Sequence, residues 1–370
     1  MSKRSKFIIS AVLILAVTLS AANLIKQAHK AIDEGDYERA AELFEQYTEK
    51  KPNKPDPFNS LGWTLDVLGR HEEAVEAYTK AIVLDSKNPT YFYNRGTAYL
   101  HMEADDQARL DFEQAIRLDT TNAGYYNNLG NIYFYKENYE RAKIIFEKAA
   151  RLDSTNATIY VNLALCAEYL DSVDVAFTYY DRALTVDPNQ ALVYNNRGRL
   201  HAERREYEDA MADYTRAINL DPDNAMTYYN RGTVHHRENN MNLAIADYTK
   251  ALELEPDLTK AYYMRGLAFT SNEQYTEAIA DFEKVLETEP RNFDVVLSQA
   301  RAYLARGMNH FLAGDTDGAR ADYEKVIELI PDEKAGYLEP HENPAVEAKK
   351  LLERLGETEV EAPDEEAGTQ

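Results

Sequence analysis

One 34-residue period runs through most of this chain of 370 residues, and it constrains the fold more than any local motif does. Numbering each copy from 1 to 34, copies begin at Ala21, Pro55, Pro89, Ala123, Ala157, Ala191, Ala225 and Thr259 without a slip, and a ninth begins at Ala300 after seven extra residues. Position 20 is alanine in all nine, from Ala40 to Ala319; position 24 is Phe or Tyr in all nine, from Phe44 to Tyr323; position 8 is always Gly or Ala. A unit of this length cannot bury an apolar stripe alone, so each copy must stack on the next.

The sixth copy shows what one unit folds into. Tyr194, Gly198 and His201 recur at helical spacing and predict a helix from about Ala191 to Arg204. A turn at Arg205 and Glu206 separates it from a second helix marked by Tyr207, Ala210, Tyr214, Ala217 and Ile218. Asp221-Pro222 ends that helix, because proline cannot continue it. Gly198 and Ala210 are small where two helices must approach closely, and Tyr194 and Tyr214 fill the wider gaps.

The order aromatic, Gly, Tyr or His, Ala, aromatic, Ala, Pro at positions 4, 8, 11, 20, 24, 27 and 32 resembles the tetratricopeptide repeat. The resemblance covers about residues 21 to 333. It implies an all-α, right-handed superhelical solenoid of helical hairpins, with the first helix of each hairpin lining a concave groove. The domain reading is a leader over 1–22, nine repeats over 23–333, a linker and C-terminal capping helix over 334–356, and an acidic disordered tail over 357–370. The seven extra residues, Phe293 to Gln299, amount to two helical turns, so the first helix of the last repeat should simply be longer. Val346, Leu351, Leu352 and Leu355 are the expected capping residues.

Formal net charge is −23, which repels phosphate backbones and argues against nucleic-acid binding. Cys166, the single cysteine, sits among apolar residues inside a first helix and reads as a buried structural thiol. Lys3, Arg4 and Lys6 precede an apolar run from Phe7 to Leu19 and the small residues Ser20-Ala21-Ala22. That pattern is an export signal cleaved near Ala22, giving a periplasmic or secreted protein. The alternative is an uncleaved anchor over residues 7–22, the one route to membrane contact.

Position 7 is arginine in five copies, Arg95, Arg197, Arg231, Arg265 and Arg306, and in those same five position 23 is aspartate: Asp111, Asp213, Asp247, Asp281 and Asp322. The match is complete within repeats and fails between neighbours, where Asp111 would face Leu129. Internal copies therefore predict an ion pair between the two helices of one hairpin.

Position 6 is asparagine in five consecutive copies, Asn94, Asn128, Asn162, Asn196 and Asn230, and the series stops at Ser60 and Met264. Helix propensity does not select asparagine. Its amide offers a donor and an acceptor, as a peptide backbone does. The row resembles the asparagine ladder of the tetratricopeptide domain in O-linked N-acetylglucosamine transferases, which implies contact with an extended peptide. The other reading is that each amide bonds a neighbouring helix and tunes pitch. Tyr93, Asn127, Asn195, Tyr229 and Tyr263 join the row as candidate peptide-binding residues. The few charges expected around it are Glu168, Arg199, Glu203, Arg237 and Lys260. The lysines and arginines of a two-carboxylate clamp are missing.

No catalytic, phosphate or metal motif stands out, and His235-His236 are adjacent on a helix and point apart. The sequence therefore reads as a non-catalytic scaffold or adaptor of the cell envelope that binds a protein or peptide partner, with no cofactor, metal or nucleic acid. The alternatives are a self-associating structural spacer or a membrane-anchored assembly factor.

Overall fold

The computed structural model describes residues 21–331, 338–339 and 342–360. Most of the segment read as a leader, residues 1–20, lies outside the described residues, as do 361–370 of the acidic tail. The described residues are all-α. Their contacts divide the chain into two units, one ending at Pro188 and one beginning at Asn189.

The first unit holds five hairpins. They are α1 (Ala21–Asp33) with α2 (Tyr37–Lys50), α3 (Pro55–Val67) with α4 (His71–Leu84), α5 (Pro89–His101) with α6 (Asp105–Leu118), α7 (Ala123–Tyr135) with α8 (Tyr139–Leu152), and α9 (Ala157–Tyr169) with α10 (Val173–Val186). The second unit holds four: α11 (Ala191–Glu203) with α12 (Tyr207–Leu220), α13 (Ala225–Arg237) with α14 (Met241–Leu254), α15 (Thr259–Ser271) with α16 (Tyr275–Thr288), and α17 (Phe293–Leu312) with α18 (Thr316–Leu329). A last helix, α19 (Pro344–Val360), follows. Within each unit the second helix of a hairpin packs on the first helix of the next, as α2 does on α3 and α12 on α13. Each unit is thus a solenoid stack.

The packing logic is that of the period. All nine position-20 alanines have no exposed surface, and the aromatic at position 24 is buried in every copy. Small residues at position 8 let that ring in. A Cβ added at Gly130 would lie 2.6 Å from the Phe146 ring, so the ring occupies the space a side chain would need. Five of the first helices start on capped ends: the side chains of Asn88, Asn122, Asn156, Asn224 and Asn292 each accept from a backbone N–H of the first turn. Each such cap is worth about 1 kcal/mol.

The turn inside each hairpin is the same in all nine copies. The N–H at position 16 donates to the carbonyl at position 11, as Asn138 does to Tyr133 at 2.9 Å, which closes a Schellman turn. Position 15 then adopts positive φ. Gly35, Gly69 and Gly314 meet that demand without cost, whereas Glu103, Glu137, Asp171, Arg205, Asn239 and Glu273 meet it with a side chain.

The seven inserted residues lengthen one helix, as expected: α17 runs for 20 residues where the other first helices run for 13. Ala345, Ala348 and Leu355 of α19 are buried against Val326 and Ile330 of the last hairpin, with Leu351 and Leu352 partly covered. Val346 is only half-buried and Ala345 sits in the cluster instead.

Candidate functional site

The five arginine–aspartate pairs form as the internal copies predicted. Arg95 reaches Asp111 with Nε and Nη2 at 2.7 and 2.8 Å. Arg197–Asp213, Arg231–Asp247, Arg265–Asp281 and Arg306–Asp322 repeat the same two bonds at 2.7–2.9 Å. All five aspartates are buried. Each guanidinium also stacks on the aromatic at position 4 of its own helix, 5.2–5.8 Å from the ring centre. Burial pushes the Asp281 carboxyl up against the pull of Arg265. Each pair ties the two helices of its own hairpin, and Arg95, Arg265 and Arg306 also donate to a threonine of the preceding repeat.

The asparagine row divides between the two units, Asn94, Asn128 and Asn162 in the first and Asn196 and Asn230 in the second. In the first unit Asn94 Nδ2 donates to Asn59 Oδ1 at 2.9 Å. Asn128 Nδ2 donates to the Tyr93 hydroxyl at 3.2 Å. Asn162 Nδ2 donates to Asn127 Oδ1 and Asn131 Oδ1, both at 3.1 Å. In the second unit Asn230 Nδ2 donates to Asn195 Oδ1 at 3.0 Å, and Asn195 Nδ2 lies 3.4 Å from Asn196 Oδ1. In four of the five, position 6 of one repeat donates to position 5 of the repeat before it; Asn196 does not, since that position is Val161. The position-5 residues Tyr93, Asn127 and Asn195 are thus acceptors that tie neighbouring first helices together. Asn195 is buried, and the other nine candidates are half-buried.

Tyr229 and Tyr263, also at position 5, lean on the buried aromatics Tyr248 and Phe282 at ring distances of 5.8 and 6.1 Å. Burial raises the Tyr93 and Tyr229 hydroxyl pKa values. The charges expected around the row all have protein partners. Arg199 pairs with Glu203 at 2.6 Å, and Glu168 accepts from the Tyr180 hydroxyl at 2.5 Å. Arg237 donates to the Ala202 carbonyl at 3.2 Å, and Lys260 sits 4.9 Å above the Tyr229 ring. What these charges leave around the row is amide and aromatic surface. Tyr135 and Tyr169 are exposed, and Tyr169 stacks on Tyr139 at 4.5 Å with planes 8° apart.

Cys166 is fully buried, and burial pushes its thiol up to about 12, so it is no nucleophile. Among the described residues two clusters bring three metal-ligand side chains together: Asp66, His71 and His101, and His201, Glu206 and Asp209. Neither was seen in the sequence, because their members lie 5 and 30 residues apart in the first and follow no metal motif. Knowing which repeat positions converge would have found the first. No helix among the described residues is long and apolar enough to cross a membrane.

Models of the tetratricopeptide repeat match residues 89–122, 123–156, 157–190, 225–258, 259–292 and 300–333, and a further repeat model matches 68–102 and 198–239. No curated protein sequence matches the chain. Among solved structures, a tetratricopeptide repeat protein from Parabacteroides merdae is 20% identical, with a TM-score of 0.52, covering 67% of this chain and 98% of that one. An APC/C hetero-tetramer is 16% identical at a TM-score of 0.52, covering 81% of this chain and 59% of that one. YrrB, described as having an unusual peptide-binding site, is 27% identical at a TM-score of 0.44, covering 50% of this chain and 96% of that one. The first two likenesses bear on the fold.

Proposed function

This chain belongs to the tetratricopeptide repeat family, and from that premise we propose that it is a non-catalytic adaptor of the cell envelope that holds an extended segment of a partner protein. The binding residues are Asn94, Asn128, Asn162, Asn196 and Asn230, with Tyr93, Asn127, Asn195, Tyr229 and Tyr263 beside them. The observation that carries this reading is the split use of the amides. Asn94, Asn128, Asn162 and Asn230 each direct the amide nitrogen at the preceding repeat, while their Oδ1 atoms have no protein donor among the described residues; Asn196 departs from this, its Oδ1 facing Asn195 Nδ2. A row of acceptors suits the N–H groups of an extended backbone and reads no side chains. At roughly 0.5–1.5 kcal/mol per bond, such a row gives modest affinity after the peptide's ordering cost. The placement in the envelope rests on residues 3–22 alone.

The test is a pull-down with the full chain and with Asn128→Ala/Asn162→Ala/Asn196→Ala, read by mass spectrometry. Helical content and melting temperature are matched first, because the same amides bridge repeats. A partner lost from the folded triple variant supports the reading; identical partners in both defeat it.

A self-associating spacer is the second reading. Leu110 and Ile144, both at position 22 of second helices, are 54% and 65% exposed and offer apolar surface away from the asparagine row. Mass that grows with concentration, and that falls in Leu110→Glu/Ile144→Glu, would favour it.

A further inference from the structure

We propose that Asp66, His71 and His101 form a binding site for a divalent transition-metal ion of the zinc type. Asp66 Oδ1 lies 2.7 Å from His71 Nδ1 and 3.0 Å from His101 Nδ1, so two imidazole nitrogens converge on one carboxylate oxygen. The two rings are 5.0 Å apart. Zinc bonds of about 2.0–2.2 Å hold neighbouring tetrahedral ligand atoms roughly 3–3.5 Å apart, so the two Asp66 contacts are within a few tenths of an ångström of that spacing, and all three ligand atoms lie within 4.8 Å of one another. Two imidazoles and a carboxylate are a borderline donor set that suits zinc, copper or nickel better than magnesium or calcium.

The backbone already favours a cation there. Asp66 stands in the last turn of α3, and His101 is the last residue of α5. Two helix C-termini, each a partial negative charge, therefore meet around a carboxylate whose side chain is only 11% exposed, against the single opposing N-terminus of α4 at His71. His101 is 48% exposed and leaves the cluster open to an entering ion. Three protein ligands leave a fourth position for water.

Other repeats supply the internal control. The three positions are 12 and 17 of one repeat and 13 of the next. In the fourth and fifth repeats they are Phe134, Tyr139 and Tyr169, whose rings lie 4.5–5.4 Å from one another. In the sixth and seventh, Arg237 at position 13 bonds the backbone of Ala202 at position 12. Convergence is thus a property of the stack, normally used for packing. Only the residue types differ at Asp66, His71 and His101, and they are ligand types. An ion held there bonds α3, α4 and α5 at once and staples the second repeat to the third. The competing account is that the two imidazole N–H groups simply donate to Asp66.

The experiment titrates chelator-stripped full-length protein with zinc in the presence of excess magnesium, which occupies nonspecific carboxylate sites. Expected are one zinc per chain and a rise in melting temperature with zinc. His101→Ala, at the exposed edge of the cluster, should fold normally by circular dichroism yet bind at least tenfold more weakly and lose the thermal shift. Asp66→Asn should do the same, while His201→Ala, in the second cluster, should change neither. Cobalt in place of zinc should give a d–d absorption that His71→Ala perturbs. Absence of zinc binding under magnesium, or equal binding by the folded His71→Ala/His101→Ala protein, overturns the proposal and leaves the hydrogen-bond account.

Discussion

The guanidinium of Arg231 meets the carboxylate of Asp247 through two parallel hydrogen bonds, Nε to Oδ2 at 2.8 Å and Nη2 to Oδ1 at 2.7 Å. The two residues are sixteen apart and lie on the two helices of one hairpin. The arginine is raised from its ordinary pKa, chiefly by that bond. His235 Nε2 stands 3.9 Å from the same carboxylate, so the aspartate is the buried hub of the hairpin.

Replacing one partner strands the other. Arg231→Leu should cost about 3 kcal/mol, the lower end for a buried pair because the arginine side chain is 22% exposed. Arg231→Leu/Asp247→Leu should recover most of that loss, since a buried pair adds little net stability over apolar residues. Chemical denaturation of the three proteins measures the cycle. A double variant no more stable than the single would mean that the pair is not the coupled unit.

The pair was legible because five copies of the repeat carry both residues and four carry neither, which is an alignment contained in one chain. The hairpins, the close approach at position 8 and the long α17 were legible for the same reason: each follows from spacing and residue size. The bonds of the asparagine row were not. Asn162 could as well have bonded a ligand, and only placement of the first helices shows its two N–H groups on Asn127 and Asn131. Positive φ at position 15 was hidden too. The turn geometry imposes it on Glu137 against the residue's own preference.

That imposed conformation can be relieved. A side chain in the left-handed region costs roughly 1–2 kcal/mol, and glycine returns part of this through its larger loss of chain freedom. Glu137→Gly and Glu103→Gly should each stabilise by about 0.5–1 kcal/mol. Asn239→Gly should gain less, because asparagine visits this region more readily. Thermal melts of single variants decide it; a fall in melting temperature for Glu137→Gly would mean its side chain contributes more than its backbone loses.

Close approach at position 8 makes the opposite prediction for a glycine. A Cβ at Gly130 would meet three Phe146 ring atoms at 2.6, 2.7 and 2.9 Å, whereas at Gly198 the nearest Tyr214 atom is 3.1 Å away. Alanine gains up to about 1 kcal/mol in helix propensity, against an overpacking cost of about 1–3 kcal/mol. Gly130→Ala should therefore destabilise by about 1 kcal/mol, and Gly198→Ala should be near neutral. Ala28 and Ala164 occupy this position in the first and fifth repeats, so a methyl there is compatible with a buried ring at position 24 in those copies. Equal effects at Gly130 and Gly198 in denaturation would show that the ring at Phe146 yields freely.

Acid sensitivity should arise in the seventh repeat. Burial is the main cause that lowers the pKa values of His235 and His236 from their ordinary 6.5. For His235, Arg231 lowers it further, and Asp247 and Glu238 oppose the shift. Both Nδ1 atoms are buried without a hydrogen-bond partner, which fits neutral rings. With the folded value below the unfolded one, their contribution is intact above about pH 6.5, where both states are neutral. Below it the unfolded chain takes up the proton first, so stability falls until the folded values are passed. His235→Tyr/His236→Leu places at positions 11 and 12 the residues that Tyr99 and Leu100 supply in the third repeat. Melting temperatures between about pH 7 and about pH 5 should decline in the natural sequence and decline less in the double variant, since carboxylates titrate mostly below that range. Parallel curves for the two proteins would place the acid sensitivity elsewhere.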